Sequence, residues 1–395
     1  MSGSKSVRKA RVARHISALP PSGIRKFFDL VSTMDEVISL GIGEPDFTTP
    51  WTIRESGIYS IERGHTSYTS NLGMLPLRRE ICRYLARDYH LDYHPENECI
   101  VTVGVSEALD IAIRAITEPG DEIIYTSPSF VSYPAEITMA HGVPVPVATN
   151  CKNGFAPDAA AIEKAITPKT KAVLVNFPSN PTGATLSGKA LKELADVVIR
   201  HDLLLISDEI YSELTYDETH VSIATLPGMR ERTIFLHGFS KAFAMTGWRI
   251  GYACAPSDLV DAMKKIHQYA IMSAPTVAQE AALEALRHGD EARETMRASY
   301  QERRDIFVGG LNQIGLDCVM PHGAFYAFPS ILRSGLSSEK FAEKLLEKEH
   351  VAVIPGSAFG PGGEGFVRCS YATGLDELEE ALRRIGRFVG SLARK

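Results

Sequence analysis

The 395-residue sequence is poor in the features that mark several protein classes, and each shortage removes a possibility. Its 6 cysteines (Cys82, Cys99, Cys151, Cys254, Cys318 and Cys369) are scattered without a Cys-x-x-Cys pair, so neither a disulfide framework nor a zinc ribbon is expected. Its 12 histidines form no His-Glu-x-x-His motif, and no metal site is expected. No apolar run reaches the roughly 18 residues of a membrane span, so no membrane partner is expected. The net charge of −6 leaves no surplus of positive charge for nucleic acid. There is no internal repeat and no low-complexity tract. No secretory leader is legible, so a cytoplasmic location is expected. Positive charge does gather at the start, where Lys5, Arg8, Lys9, Arg11 and Arg14 precede the first acid, Asp29. A mobile basic arm over residues 1–21 is the plain reading of that cluster, and a transit peptide is the alternative.

What remains is 44% hydrophobic and 23% charged, the composition of a globular chain long enough for two or three domains. After Pro20 and Pro21, Ser22 can cap a helix whose inward face is Ile24, Phe27, Phe28, Leu30 and Val31. From Cys99 onward, short apolar runs alternate with helical patterns, which predicts βα units and a largely parallel sheet. Further helices are expected over Asp290–Leu311, Ser338–Lys348 and Glu377–Leu392. In open α/β sheets ligands bind along the carboxyl edge of the strands, and the residues with chemistry to offer fall there.

In CIVTVGVSEALDIAIRAI, the amides of Gly104, Val105 and Ser106 open a helix and can hold a phosphate, provided that acidic Glu107 turns away. Phe130 and Tyr133 follow the next strand, as core aromatics or as the wall of a pocket. Asn176 and Asn180 flank a turn in NFPSNPTG, where Asn180-Pro181 suits a cis peptide. Asp208 ends the apolar run LLLISD, where a carboxylate either caps a helix or needs a cationic partner. In HGFSKAFAMTGWRIGY, Lys241 becomes a nucleophile if buried, and Arg249 adds positive charge for a phosphate. Two solvated loop cations are the alternative there. Arg368, in FVRCSYA, has the forked geometry that receives a carboxylate. Gly41 and Gly43, in SLGIGEPDF, form a turn or allow a close backbone approach.

The HGFSK…GWRIGY stretch, the NPTG turn and RCSYA together resemble class I aminotransferases, fold-type I enzymes that use pyridoxal 5'-phosphate; the likeness runs from about Ser22 to the C-terminal region. It implies an α/β fold with a mostly parallel seven-stranded sheet in a large domain (46–290) and a smaller α/β domain (22–45 and 291–395). Lys241 would then form a Schiff base with the cofactor and later carry the substrate's α-proton. Asp208 would face the pyridine nitrogen, Phe130 the ring, and Tyr211 and Asn180 the phenolic oxygen. Gly104, Val105, Ser106, Ser240 and Arg249 would hold the phosphate, joined by Tyr68 of a neighbouring subunit in a homodimer with shared sites. Gly43, Asn180 and Arg368 would receive the substrate carboxylate, with Tyr133 and Tyr269 beside it. One departure is Gly238, where many relatives carry a phosphate-binding Ser.

The implied reaction is ping-pong transfer of an amino group from an L-amino acid to a 2-oxo acid such as 2-oxoglutarate. The His267-Gln268-Tyr269 stretch is similar to aromatic, broad-range and acetyl-diaminopimelate aminotransferases, which favours an aromatic or other neutral donor. Aspartate or N-acetyl-diaminopimelate as donor, and a C–S lyase reaction, remain open. A ligand sensor without turnover is the reading from another class, and the joint presence of Lys241, Asp208, Tyr211, Asn180 and Arg368 argues against it.

Overall fold

A computed structural model describes residues 11–20, 23, 34 and 36–392. The helix expected after Ser22, with its face of Ile24, Phe27, Phe28, Leu30 and Val31, lies outside the described residues, as do Lys5, Arg8 and Lys9 of the basic arm. Within the arm, Arg14–Ser17 forms one helical turn, and the His15 ring packs 4.3 Å from that of His141.

Among the described residues, twelve short strands follow in chain order. They are β1 (Ile38–Ser39), β2 (Cys99–Thr102), β3 (Glu122–Ser127), β4 (Val143–Ala148), β5 (Thr170–Asn176), β6 (Leu204–Asp208), β7 (Thr233–Gly238), β8 (Gly251–Cys254), β9 (Tyr326–Ala327), β10 (Val351–Ala352), β11 (Ile354–Pro355) and β12 (Val367–Ser370). Seven of them make one sheet in the order β2-β8-β7-β6-β5-β3-β4, parallel except for β8, which runs against both neighbours.

The strand sequences are apolar on both faces because both faces are covered. Ile123, Leu174 and Ile206 pack on one side with Leu109 and Ile113 of the helix Gly104–Ile116. Their chain neighbours Ile124, Val173 and Leu205 point the other way, against Leu191, Leu194 and Val198 of the helix Gly188–Arg200. This alternation is the two-residue period of a strand, read out in burial.

The chain's two ends meet in a second unit. Ile38 and Leu40 donate backbone hydrogen bonds to His350 and Ala352, pairing β1 with β10, while β11, β12 and β9 form a three-stranded antiparallel sheet. Helices Asp290–Gln313, Ser338–Glu349 and Leu375–Leu392 surround it, within two residues of their expected limits. Its buried Phe325, Phe341 and Phe388 belong to the same apolar cluster as Val173 and Leu205, so the two units share a core.

Candidate active site

A cleft of about 350 Å³ opens at the carboxyl ends of β5, β6 and β7, where the small unit closes over the large sheet. That volume suits a small ligand.

Asp208, the last residue of β6, is buried on its floor. Its Oδ2 accepts from Tyr133 Oη at 2.8 Å, and its Oδ1 accepts from the Ile210 amide at 3.2 Å. Asp208 caps no helix, contrary to one expectation: the 3-10 turn that follows, Ser212–Leu214, has Tyr211 at its N-cap, and the Ile210 bond closes a local turn that satisfies only part of the carboxylate. Burial pushes the carboxyl up to about 6 against the pull of those two hydrogen bonds. None of the ion pairs among the described residues includes Asp208. Asn176, one strand over, braces the floor: its Nδ2 donates to Asp208 O at 2.8 Å, and its Oδ1 accepts from Asn180 N at 2.9 Å.

Lys241 reaches the floor from the loop after β7, with Nζ donating to Gly43 O at 2.6 Å. Desolvation pulls the amine down to about 8, with Glu44 opposing and Arg368 and Arg249 assisting. A neutral, nucleophilic amine is thus accessible close to physiological pH. Tyr211 Oη lies 2.8 Å from Tyr326 Oη, and burial pushes the Tyr211 phenol well up, so both hydroxyls stay protonated. Phe130 lines the same cleft, edge-on to Tyr133.

At one end, three backbone segments crowd into a cup. Gly104 starts the helix Gly104–Ile116 with φ +73°, and a Cβ there would lie 2.8 Å from Arg249 Nη2. A Cβ on Gly251 would fall 2.7 Å from Gly104 C and Val105 N, so only glycine permits this approach. Val105, Ser106, Ser240 and Arg249 line the cup. Glu107 does turn away: it accepts from Val103 N at 2.6 Å and meets His267 Nδ1 at 2.6 Å. The Gly238 departure also has a steric reason, since a Cβ there would sit 3.0 Å from both Val105 Cγ2 and Gly251 Cα.

At the other end stands Arg368 of β12, 2% exposed. Nη1 donates to Asn180 Oδ1 at 2.9 Å and Nη2 to Gly41 O at 2.6 Å, while Nε is buried with no hydrogen-bond partner. An orphaned donor on a buried cation asks for an acceptor. Tyr326 supports the guanidinium, its ring centroid 4.5 Å from Cζ, and its hydroxyl explains Gly43, whose Cβ would lie 2.4 Å from it.

The cleft therefore brings together Gly43, Val105, Ser106, Phe130, Tyr133, Asn180, Asp208, Tyr211, Ser240, Lys241, Arg249 and Arg368, with Gly104 directly behind Arg249. Tyr133 lines it with its hydroxyl committed to Asp208. Tyr68 and Tyr269 are not brought in: they stand 81% and 88% exposed, outside the lining. Sequence reasoning missed Tyr326, Glu44 and Thr246. The signal for Tyr326 was the β9–β12 register: Tyr326 pairs with Ser370, which puts it on the face of Arg368, two residues away. Among the described residues no group of His, Cys, Asp and Glu side chains could hold a metal, and no helix is long and apolar enough to cross a membrane.

Comparison with known proteins adds a finding of a different kind. The family model described as aminotransferase class I and II matches residues 35–385. The Bacillus subtilis (strain 168) protein YugH, itself named by class as an aminotransferase, is 59% identical over 375 residues, covering 95% of this chain and 97% of its own. An aspartate aminotransferase of Pyrococcus abyssi is 45% identical over 93% of this chain and 96% of its own. The crystal structure of an aromatic aminotransferase from Pyrococcus horikoshii OT3 superposes with a TM-score of 0.89, at 44% identity, over 93% of this chain and 99% of that one.

Proposed function

The chain belongs to the class I and II aminotransferases, enzymes that transfer amino groups with pyridoxal 5'-phosphate, and on that premise we propose how its own residues divide the work. The donor set fits that cofactor on three observations. Asp208 is a buried carboxylate without a cation, suited to a protonated ring nitrogen. The glycine-walled cup beside Arg249 offers backbone amides and a positive charge to a phosphate. Lys241 is an amine with a lowered pKa between the two. When bound, the cofactor supplies an electron sink for the carbanion left by loss of the α-proton.

The protein's part is to position groups and move protons. Ser106, Ser240, Arg249 and the amides of Val105 and Ser106 hold the phosphate, and Gly104 allows their approach. Phe130 flanks the ring, and Asp208, kept oriented by Tyr133 and Asn176, fixes its nitrogen. Tyr211 and Asn180 face the phenolic oxygen. Arg368, with Asn180 and Gly43, receives the substrate α-carboxylate. Lys241 would carry the proton: its Nζ would take the substrate's α-proton and give it back. The observation that carries this division is the cation-free carboxylate of Asp208 in the same cleft as Lys241.

The same cleft bears on the substrate. Its described lining holds three cations, Lys241, Arg249 and Arg368, and each has a role in this scheme. The acid at the mouth is Glu44, which accepts from Thr246 Oγ1. No cation of that lining is left for a second carboxylate, which supports an L-amino acid donor with an aromatic or other neutral side chain. The acceptor is a 2-oxo acid, and 2-oxoglutarate is the first to assay.

Two copies assemble, in this proposal, through the apolar face where Trp51, Ile58 and Ile61 stand exposed, with Tyr68 reaching the partner's phosphate cup. The large unit spans 46–290, and residues 22–45 and 291–395 make the smaller one that closes over it. The absence of any described membrane-crossing helix is compatible with a cytoplasmic enzyme.

The test is the half-reaction. Cofactor-loaded protein is mixed with single amino acids and no oxo acid. The expected result is one equivalent of the matching 2-oxo acid per site without ammonia, fastest for aromatic donors and slow for aspartate. Sustained release of ammonia with pyruvate would instead reveal a lyase.

A further inference from the structure

Behind the cleft lies a hydrogen-bonded chain that none of the roles above uses. His237, the penultimate residue of β7, is 2% exposed. Its Nδ1 accepts from the Gly238 amide at 2.7 Å. That bond fixes the proton on Nε2, which lies 2.8 Å from Ser212 Oγ and 3.2 Å from Tyr89 Oη. Ser212 Oγ is 2.5 Å from Tyr89 Oη, which donates to Glu213 Oε1 at 2.7 Å. Glu213 also accepts from Tyr84 and pairs with Arg293 at 3.1 Å.

The donors can therefore run in one direction, from His237 through Ser212 and Tyr89 to the Glu213 carboxylate, with no clash of roles. The imidazole ends this chain in its neutral form, and burial, which pushes His237 down to about 3, keeps it neutral. Phe235 stacks on the ring at 6.0 Å and Tyr252 flanks it.

The two ends of the His237 bridge are the segments that carry the reacting groups. Gly238 leads, three residues on, to Lys241, and Ser212 directly follows Tyr211. Arg293 adds a third anchor, in the first turn of the helix Asp290–Gln313. We propose that His237 is a positioning residue: by bridging the Gly238 amide to the Ser212 hydroxyl, it sets the register between the Lys241 loop and the Tyr211 turn. The proposal rests on the roles given above to Lys241 and Tyr211.

His237→Phe keeps the ring volume and the stacking on Phe235 but removes both nitrogens, and His237→Gln restores a polar amide. In the cofactor-loaded enzyme, His237→Phe is expected to lower kcat by roughly 10- to 100-fold, the cost of a misplaced reacting group, with KM nearly unchanged. The readout independent of turnover is the rate at which apo-protein captures pyridoxal 5'-phosphate, followed as loss of free-cofactor absorbance. Capture should slow by a similar factor and recover in part in His237→Gln.

Unchanged capture and kcat per folded site, with only a lower Tm, would overturn the proposal and leave His237 a core residue. Should His237→Phe not fold, Ser212→Ala decides, since slowed capture supports the bridge and wild-type capture refutes it. Lys241→Ala separates the two levels of the argument. If it keeps wild-type turnover and still yields a borohydride-fixed cofactor adduct, the reading of Lys241 fails; if it binds cofactor with neither, the His237 result stands by itself.

Discussion

The floor of the cleft and its rim are built differently. On the floor, Asp208, Asn176, Tyr211 and Arg368 are held by partners within one chain, through hydrogen bonds between 2.6 and 3.2 Å. Outside the lining, at what the proposed dimer would make its rim, Tyr68 and Tyr269 stand in solvent, and Ile271 and Met272 are exposed as well. The floor's geometry is fixed by strand register and burial, so its side chains are in place when one chain folds. The rim's aromatics acquire a role only when something comes to them, and the proposed second copy is that partner.

If this contrast is right, floor substitutions should damage chemistry and rim substitutions should damage assembly and cofactor retention. The largest effect is expected for Lys241→Ala, with turnover falling by at least about a thousandfold because the proton carrier is gone, while cofactor still binds without a covalent link. A half-reaction assay with a good donor measures it.

Asp208→Asn should lower turnover by on the order of a hundredfold, as the ring nitrogen loses its counter-charge. It should also stabilise the cofactor-free protein. The carboxyl titrates near 6 in the fold against an ordinary 3.8, so between those values the folded state binds the extra proton and stability falls as pH rises. The variant escapes this, by roughly 1–3 kcal/mol at pH 7, and the gap in Tm should close as the pH falls towards about 4.

Arg368→Lys keeps the charge but not the fork. It should lower kcat/KM for amino acids by roughly 30- to 100-fold, equivalent to about 2–3 kcal/mol. The smallest effect is expected on the rim. Tyr68→Phe should weaken cofactor retention by about tenfold, one hydrogen bond's worth, with the single-turnover rate of loaded sites unchanged. Equilibrium dialysis and sedimentation would check it. A Tyr68→Phe enzyme that keeps its cofactor but loses its chemical rate would erase the distinction between floor and rim.

The floor is also the part that a reader of the sequence can reach. Asp208 and Asn176 end apolar runs, Lys241 follows one, and the carboxyl-edge rule places all of them together. The sheet follows from the same runs, and the three C-terminal helices from their periodicity to within two residues. What stays hidden depends on contacts between residues far apart in the chain. Tyr326 enters the site through its antiparallel register with β12. The hydroxyl of Tyr133 goes to a carboxylate 75 residues away, and its own segment carries no sign of that. Glu107 is a hazard in sequence and harmless in space because His267, 160 residues on, holds it. His237 reads as one more residue of a buried strand until Ser212 and Tyr89 are seen beside it.

The most direct test of the central claim is to load the protein with pyridoxal 5'-phosphate, reduce it with borohydride and map the modified peptide by mass spectrometry. A single phosphopyridoxyl adduct on Lys241, lost when an amino acid donor is added before the reductant, is the result expected here. An adduct spread over other lysines, or none on Lys241, would contradict the assignment on which every other role in the cleft depends.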